Sequence, residues 1–244
     1  MAALLAQTRV ELSLTLRRGE SVLLTFAIPV VLLAFFSIVD VLPKEDGADA
    51  VTFLFPGILA LAVMSTAMVS LAIATGFERS TGVLKRLGAT PLGRPRLLAA
   101  KTIAVLVIEV LQVMVLVVEG LALGFTAHGP DVAVALGAAL LATVAFAGVG
   151  LLLAGALPAL TTLAAANGLY LVLLLLGGMI FPLEKLPGPL RAVARGLPAG
   201  ALSDITHGAL DPRFAGGVPG RAWVVLVAWA LLAPMAAALA FRWE

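Results

Sequence analysis

The sequence contains no cysteine, only two histidines and few charged side chains, and each scarcity excludes a class of protein. Without cysteine there is no disulfide framework, thiolate metal site or cysteine nucleophile. His128 and His207 lie far apart in polar stretches, which argues against a histidine-rich metal site. Charged residues make up 12% of the 244 residues, against about 25% in soluble domains. A soluble globule of this length needs more polar surface, so the composition excludes an ordinary soluble enzyme.

Long apolar runs take the place of the missing charges. A membrane helix needs roughly 20 mostly apolar residues to cross a hydrocarbon core about 30 Å thick. Six segments meet this requirement: residues 21–41, 51–74, 102–126, 132–152, 163–181 and 222–241. The uncharged run from 132 to 183 is too long for one crossing, so Gly and Pro at residues 155–158 predict a turn. The sequence therefore predicts an all-α integral membrane protein with six transmembrane helices.

The positions of the basic residues predict how the chain is oriented. If the N-terminus is cytoplasmic, 10 of the 16 lysines and arginines lie on the inner side and 6 on the outer side. This bias favours both termini in the cytoplasm. The first apolar run is too long for a cleavable signal peptide, so we expect it to remain as the first span. The net charge of +2 is too small to suggest nucleic-acid binding.

The stretch before the first span has the pattern of a surface helix. At 100° per residue, Leu5 and Leu16 fall on one side and Gln7 and Glu11 on the opposite side. A helix of this kind lies at the inner membrane surface. We therefore predict two units, an amphipathic interfacial helix at residues 1–20 and a six-helix transmembrane domain at residues 21–244. An unstructured cytosolic tail is the alternative for the first unit.

The segment between the second and third spans, residues 77–101, reads FERSTGVLKRLGATPLGRPRLLAAK. Six basic residues and one acidic residue explain its retention on the inner side. Charge alone does not explain Val83, Leu84 and Leu87, which fall on one side of a predicted short helix. A helix with an apolar side and a charged flank is suited to docking in a groove of a cytosolic partner.

The order and spacing in this segment resemble the cytosolic signature of type-2 ABC transporter permeases. That signature has a Glu-Arg pair, then Gly-x-Leu-x-x-Leu, a small residue, Thr-Pro, and a leucine-rich run ending in Lys. The matching positions are Glu78, Arg79, Gly82, Val83, Leu84, Leu87, Ala89, Thr90, Pro91, Leu97, Leu98 and Lys101. Two further matches are residues 55–57 (Phe-Pro-Gly) and residues 181–187 (Phe-Pro-Leu-Glu-Lys-Leu-Pro). With the six spans, the resemblance covers nearly the whole chain.

The resemblance implies that residues 77–98, here called the elbow, pass movement from a nucleotide-binding subunit to the membrane helices. It implies an ATP-driven exporter in a bacterial plasma membrane, carrying a drug, lipid or glycolipid. Two permease subunits, identical or related, would pair above two copies of the ATPase. The sequence has no G-x-x-x-x-G-K-[S/T] phosphate loop, so we expect this chain to be non-catalytic and to bind no cofactor, with ATP and Mg²⁺ on the partner. The implied coupling residues are Glu78, Arg79, Gly82, Leu84, Leu87, Thr90 and Pro91.

The segment before the last span, residues 183–221, contains five prolines and several glycines. These residues prevent a regular crossing helix, whereas the spacing of Leu190, Val193, Ala194 and Leu197 remains helical. We predict short re-entrant or surface helices on the outer face, as the resemblance also suggests. An ordinary exposed loop is the alternative.

Three polar side chains, Glu109, Gln112 and Glu119, interrupt the third span. An ionisable group near the bilayer centre costs about 2.5–3.5 kcal/mol on insertion scales, so it needs a partner or a water-filled path. Helical spacing allows all three to face one side. They are candidates for the lining of a translocation path, and structural hydrogen bonds to other spans are the alternative. Asn167 and the Ser65–Thr66 pair are expected to serve helix packing first.

Two transport mechanisms fit these residues. The first is a permease subunit that moves an amphiphilic or hydrophobic substrate with energy from a separate ATPase. The second is a secondary transporter in which Glu109 and Glu119 carry protons. An intramembrane protease is disfavoured because the sequence has no H-E-x-x-H or G-x-S-x-G motif and no histidine in a predicted span.

Overall fold

A computed structural model describes residues 2–17, 19–39, 50–88, 93–125, 131–211 and 217–240. In these ranges every regular element is a helix, which confirms the all-α prediction. The α-helices are α1 (Ala2–Arg17), α2 (Gly19–Ile38), α3 (Ala50–Met64), α4 (Leu71–Ser80), α5 (Val83–Gly88), α6 (Arg94–Ala122), α7 (Val132–Ala156), α8 (Ala159–Leu176), α9 (Gly188–Ala194), α10 (Pro198–Leu210) and α11 (Gly220–Ala240). A π-helical turn (Ser65–Ser70) joins α3 to α4, and a 3-10 turn spans Leu183–Lys185.

Five helices are long and apolar enough to cross a bilayer: Val51–Ser80, Pro95–Ala122, Val132–Ala156, Ala159–Leu176 and Gly220–Ala240. The chain is therefore a multi-pass membrane protein. Helix α2 is 20 residues long, but its described apolar part, Thr25–Ile38, is shorter than the other five. The six-span count accordingly remains a prediction.

Several helices extend beyond the apolar runs that predicted them. The second predicted span ended at residue 74, whereas α4 continues to Ser80 and carries Glu78 and Arg79 on its last turn. The third was predicted to begin at Thr102, whereas α6 begins at Arg94 and includes Lys101. Both extensions are amphipathic, so an apolar-run criterion misses them although the backbone continues to form helical hydrogen bonds.

The fifth span is shifted toward the N-terminus relative to its prediction. Helix α8 ends at Leu176 instead of continuing to residue 181. The chain turns at Gly177 and Gly178, and Gly178 has a φ of 71°, which a residue with a Cβ rarely adopts. The predicted turn at residues 155–158 is confirmed, because α7 ends at Ala156 and α8 begins at Ala159.

Helix α7 forms the centre of the bundle and packs most extensively on α11. A Cβ built on Gly148 would lie 2.5 Å from the backbone nitrogen of Pro234, so the two helices approach at their backbones. A Cβ on Gly150 would lie 2.6 Å from the carbonyl oxygen of Met68 in the π-helical turn. Small residues allow this close packing, which stabilises helix pairs in lipid through van der Waals contact.

The segment before α11 forms short helices, as predicted, and α10 is largely buried. It packs against α3, α7 and α11. The Trp229 indole on α11 donates to the carbonyl of Gly196 at 3.0 Å, and His207 Nε2 lies 3.1 Å from the carbonyl of Phe53 in α3. Helix α10 is therefore part of the packed bundle, and the exposed-loop alternative is wrong for this helix.

Candidate functional site

Lys101 of α6 is 1% exposed and lies between two carboxylates. Its Nζ is 2.9 Å from Glu11 Oε2 of α1 and 2.5 Å from Glu78 Oε2 of α4. Gln7 completes the group by donating from Nε2 to Glu11 Oε1 at 2.8 Å. A buried ammonium requires such partners, because its removal from water without them costs on the order of several kcal/mol. This ion-pair cluster, Glu11–Glu78–Lys101, joins three helices at one end of the bundle.

Arg79, beside Glu78, binds the end of the neighbouring helix α7. Its Nη1 donates to the carbonyls of Ala154 at 2.9 Å, Gly155 at 2.8 Å and Leu157 at 3.3 Å. The last carbonyls of a helix lack intrahelical donors and carry the negative end of the helix dipole, so a guanidinium is well suited to them. Thr162 of α8 donates its hydroxyl to the carbonyl of Leu157 at 3.2 Å. Arg79 thus fixes α4 to the turn between α7 and α8.

The elbow continues through a tight turn into α5. Gly82 has a φ of 73°, and a Cβ there would meet no atom within 4 Å, so its role is conformational. Leu84 is fully buried among Leu71, Leu97 and Leu151 of the same chain, with Leu87 packed against this group. The side of α5 open to other molecules instead presents Lys85 and Arg86, the exposed residues. Thr90 and Pro91 lie outside the described residues.

Leu84 is buried, whereas Lys85 and Arg86 on the same helix are exposed. Leu84 lies in the chain's own core and packs α5 against α4, α6 and α7. The exposed side of α5 carries Lys85 and Arg86. The predicted apolar docking face is therefore an internal anchor at Leu84, because a fully buried side chain is not accessible to another protein.

Of the three candidate residues for the translocation path in α6, Gln112 and Glu109 hydrogen-bond to different neighbouring helices. Gln112 is buried, accepts from the Thr66 hydroxyl at 3.0 Å and donates to the carbonyl of Thr25 at 2.8 Å. Glu109 is 4% exposed, and its Oε2 accepts from the hydroxyl of Thr143 in α7. Gln112 therefore links α6 to α2 and the π-helical turn, whereas Glu109 faces α7.

Glu119 lies farther along α6 and is partly exposed. Within the described part of the chain, its Oε2 is buried without a hydrogen-bond partner, as is Oε1 of Glu109. The three candidates do not converge on one site. Their shared helical side is wide enough to contact several neighbouring helices.

A cavity of about 380 Å³ lies beside the ion-pair cluster. Its walls come from α1, α2, the π-helical turn, α4, α6 and α8. Glu11, Glu78 and Lys101 lie in its wall, and Asn167 and Tyr170 line it from α8. None of Glu109, Gln112 and Glu119 is among the described residues that line it.

Sequence reasoning did not identify Glu11 as a partner of Lys101. The available signal was an acidic residue on a helix at the membrane surface and a lysine at the start of a span, each of which needs a counter-charge. It also did not assign Tyr170, the one tyrosine of the chain, to a cavity wall. A single aromatic residue in an apolar helix carries no periodic signal.

Comparison with known proteins identifies the family. No curated protein matches the sequence. The family model described as ABC-2 type transporter matches residues 3–201, which include the elbow, the ion-pair cluster and the cavity walls. The order of motifs in residues 77–101 and the helical membrane fold agree with this match. The chain belongs to the ABC-2 type transporter family.

Proposed function

We propose that the chain is the transmembrane subunit of an ATP-driven exporter. Its partner is a separate ATPase subunit, present in two copies, which holds ATP and Mg²⁺. Two membrane subunits, identical or related, pair to form the pathway. The assembly lies in a bacterial plasma membrane with both termini of this chain in the cytoplasm. The membrane family of the chain and the absence of a phosphate loop from its sequence support this division of tasks.

The attachment of the elbow to the spans is the observation that carries the proposal. Arg79 hydrogen-bonds to the end of α7, and Glu78 pairs with Lys101, which in turn pairs with Glu11. A displacement of the end of α4 would therefore act on α1, α6 and α7, and α5 is joined to α4, α6 and α7 through buried Leu84. Networks of hydrogen bonds and ion pairs can carry energetic coupling between distant sites when they have discrete arrangements. The described parts of the elbow are thus attached to the spans at several points.

The charged flank of α5 is the proposed contact for the ATPase. Lys85 and Arg86 are exposed, whereas Leu84 is fixed inside. Two adjacent basic residues favour an acidic or carbonyl-lined groove on the partner. Closure of the ATPase dimer on ATP would move α5, and the helices attached to it would change access to the pathway.

The test is reconstitution with a candidate phosphate-loop ATPase from the same genome. We expect the two proteins to co-purify, and vesicles containing both to release an amphiphilic dye only when ATP is supplied. Arg86→Glu should weaken co-purification by reversing a charge at the contact. Lys185→Glu, a charge reversal at an exposed lysine on the opposite end of the bundle, is the matched control. Co-purification unaffected by Arg86→Glu, together with release independent of ATP, would contradict the proposal.

A second function is favoured by one observation: Oε1 of buried Glu109 has no hydrogen-bond partner among the residues that the structure describes. In a secondary transporter, Glu109, with Glu119 farther along α6, would carry protons and no ATPase would be required. Glu109→Gln would then abolish transport driven by a proton gradient. Under the exporter proposal, Glu109→Gln retains ATP-driven release, because the side chain remains able to accept from Thr143.

A further inference from the structure

His207 of α10 is a buried histidine whose two ring nitrogens both face backbone carbonyls. The residue is 3% exposed. Its Nδ1 lies 2.9 Å from the carbonyl oxygen of Ser203 on the same helix, and its Nε2 lies 3.1 Å from the carbonyl oxygen of Phe53 in α3. Both distances are those of hydrogen bonds. A carbonyl oxygen only accepts, so each bond requires a proton on the ring nitrogen.

A neutral imidazole satisfies only one of these two carbonyls, because it carries a single N–H group. In either tautomer the other nitrogen would direct its lone pair at a carbonyl oxygen, at 2.9 or 3.1 Å. The Ser203 hydroxyl, 3.2 Å from Nδ1, can donate to a neutral ring, but the Ser203 carbonyl would still face the same nitrogen. The imidazolium, with an N–H on both nitrogens, donates to both carbonyls.

The surroundings of the ring also favour a positive charge. His207 lies in the last turn of α10, where the helix dipole is negative. Asp211 is 2% exposed and its backbone N–H donates to the His207 carbonyl at 2.8 Å, so an acidic residue is buried at the end of the same helix. The ring centroids of Phe53 and His207 are 4.8 Å apart, within the range of a cation–π contact.

The helices packed against α10 add few titratable groups. They are α3, α7, α8 and α11. Over their described lengths, α3 and α7 contain none, α8 contains Tyr170, and α11 contains Arg221. Arg221 lies 3.7 Å from Asp204, the other acidic residue of α10. The charged groups that accompany His207 on its own segment are therefore two acidic residues, Asp204 and Asp211.

The bonds of His207 join α10 to the beginning of α3, at the end of the bundle opposite the elbow. Phe53 and Glu78 lie on one continuous helical stretch, Val51–Ser80. At 1.5 Å per residue they are about 37 Å apart along it. In the predicted orientation this is the outer end of the bundle, so His207 is placed to respond to the pH outside the cell.

We propose that His207 is an imidazolium that clamps α10 to α3, and that the clamp opens when the ring loses its proton. The folded chain then binds this proton more tightly than the unfolded chain, in which a histidine titrates near pH 6.5. The stabilising effect is fully present below about pH 6.5 and is lost as the pH rises through the point at which the folded ring deprotonates. This switch goes beyond the proposed function and requires neither transport nor the ATPase.

The protonation state can be measured directly, because the chain has only two histidines. The full chain is labelled with ring-¹⁵N histidine, placed in lipid nanodiscs and studied by NMR, and the variant His128→Gln leaves His207 as the single signal. At pH 7.5 we expect both His207 nitrogens to carry protons, whereas free histidine in the same buffer is about 90% neutral. A ring that is neutral at pH 7.5, or still protonated at pH 10, would overturn the proposal.

A second measurement tests the clamp itself. Amide hydrogen exchange of α10 and the first turn of α3 is compared between the wild type and His207→Gln, at pH 6 and at an alkaline pH where NMR shows a neutral ring. At pH 6 we expect about tenfold faster exchange in the variant, because hydrogen bonds from a charged donor are lost. At the alkaline pH the two proteins should exchange alike.

His128→Gln, which removes the other histidine of the chain, is the matched control and should exchange as the wild type does at both pH values. A difference between wild type and His207→Gln that is the same at both pH values would show that His207 acts through packing alone. That result, or the absence of any difference, would overturn the clamp.

Discussion

The ion pairs of Lys101 join α1, α4 and α6 at one end of the bundle. Its ammonium is almost completely buried and its two carboxylate partners come from helices far apart in sequence. An ion pair of this kind contributes little net stability compared with apolar packing, but loss of one partner is costly. The main effect of these ion pairs is therefore to fix how α1 and α4 pack against α6, since their net contribution to stability is small.

Replacing Lys101 by Met should destabilise the fold strongly. Two carboxylates would remain buried without their ammonium, and we expect a loss of about 3–5 kcal/mol in the free energy of unfolding. The measurement is denaturant unfolding of the purified chain in detergent. The triple variant Lys101→Met, Glu11→Gln, Glu78→Gln removes all three charges and should recover most of this loss. A triple variant as unstable as the single one would contradict the ion-pair explanation.

A second prediction concerns the hydrogen bonds of Arg79 to the end of α7. Arg79→Gln should lower the free energy of unfolding by roughly 2–3 kcal/mol, because charge-assisted bonds to three carbonyls at the end of α7 are lost. Thermal unfolding of the chain measures this change. Arg86→Gln, on the exposed flank of α5, is the control and should unfold at the wild-type temperature. Equal unfolding temperatures for both variants would show that Arg79 does not anchor the turn.

At the scale of the helices, close approach of backbones holds α7 to α11. Gly148→Ala should destabilise the bundle by about 1–3 kcal/mol, since the new Cβ would meet the backbone at Pro234. Gly168→Ala on α8, where a Cβ meets nothing within 4 Å, should be neutral or stabilising. Unfolding of the two variants in detergent distinguishes a packing effect from a general effect of helix propensity.

The pair formed by α10 and α11 carries a pH-dependent contact outside the spans. Burial raises the pKa of Asp204 above its ordinary 3.8, while Arg221, 3.7 Å away, and Arg195 lower it and Glu184 raises it. The folded chain therefore holds this proton more tightly than the unfolded chain. Its contribution to stability is fully present below the unfolded pKa and is lost as the pH rises through the folded pKa.

Asp204→Asn should accordingly flatten the dependence of stability on pH just above 3.8. The measurement is the unfolding midpoint of both proteins across a pH series. The exposed residue Asp131 provides the control, because Asp131→Asn removes a carboxylate that is not buried and does not act on Asp204. An unchanged pH profile for Asp204→Asn would contradict the direction of this pKa shift.

At the scale of the whole molecule, the ion pairs require α1 and the elbow to lie on the same side of the membrane. The absence of cysteine makes this testable, because a single introduced cysteine is the only thiol. Ser13→Cys and Arg86→Cys should react with an impermeant maleimide in inside-out vesicles, and Asp131→Cys in right-side-out vesicles. Opposite sidedness for Ser13→Cys and Arg86→Cys would mean that α2 does not cross.

The family and the membrane class could be predicted from local sequence, and much of the site could not. Five of the six spans predicted from apolar run lengths are confirmed as long apolar helices, although α4, α6 and α8 begin or end elsewhere. The elbow was recognisable because its motif is contiguous. The partners of Glu109 and Gln112 were not, because helical spacing gives the direction of a side chain without the identity of the neighbouring helix.

The sequence by itself determined that this chain is a helical membrane protein with a basic elbow, since composition, run length and motif order are properties of neighbouring residues. Only the tertiary structure decided that Glu11 pairs with Lys101 across 90 positions, that Leu84 is buried, and that Asn167 and Tyr170 line one cavity with residues of the π-helical turn. The physical reason is that these contacts depend on which helices pack together. That choice is made by shape and polar complementarity over the whole bundle.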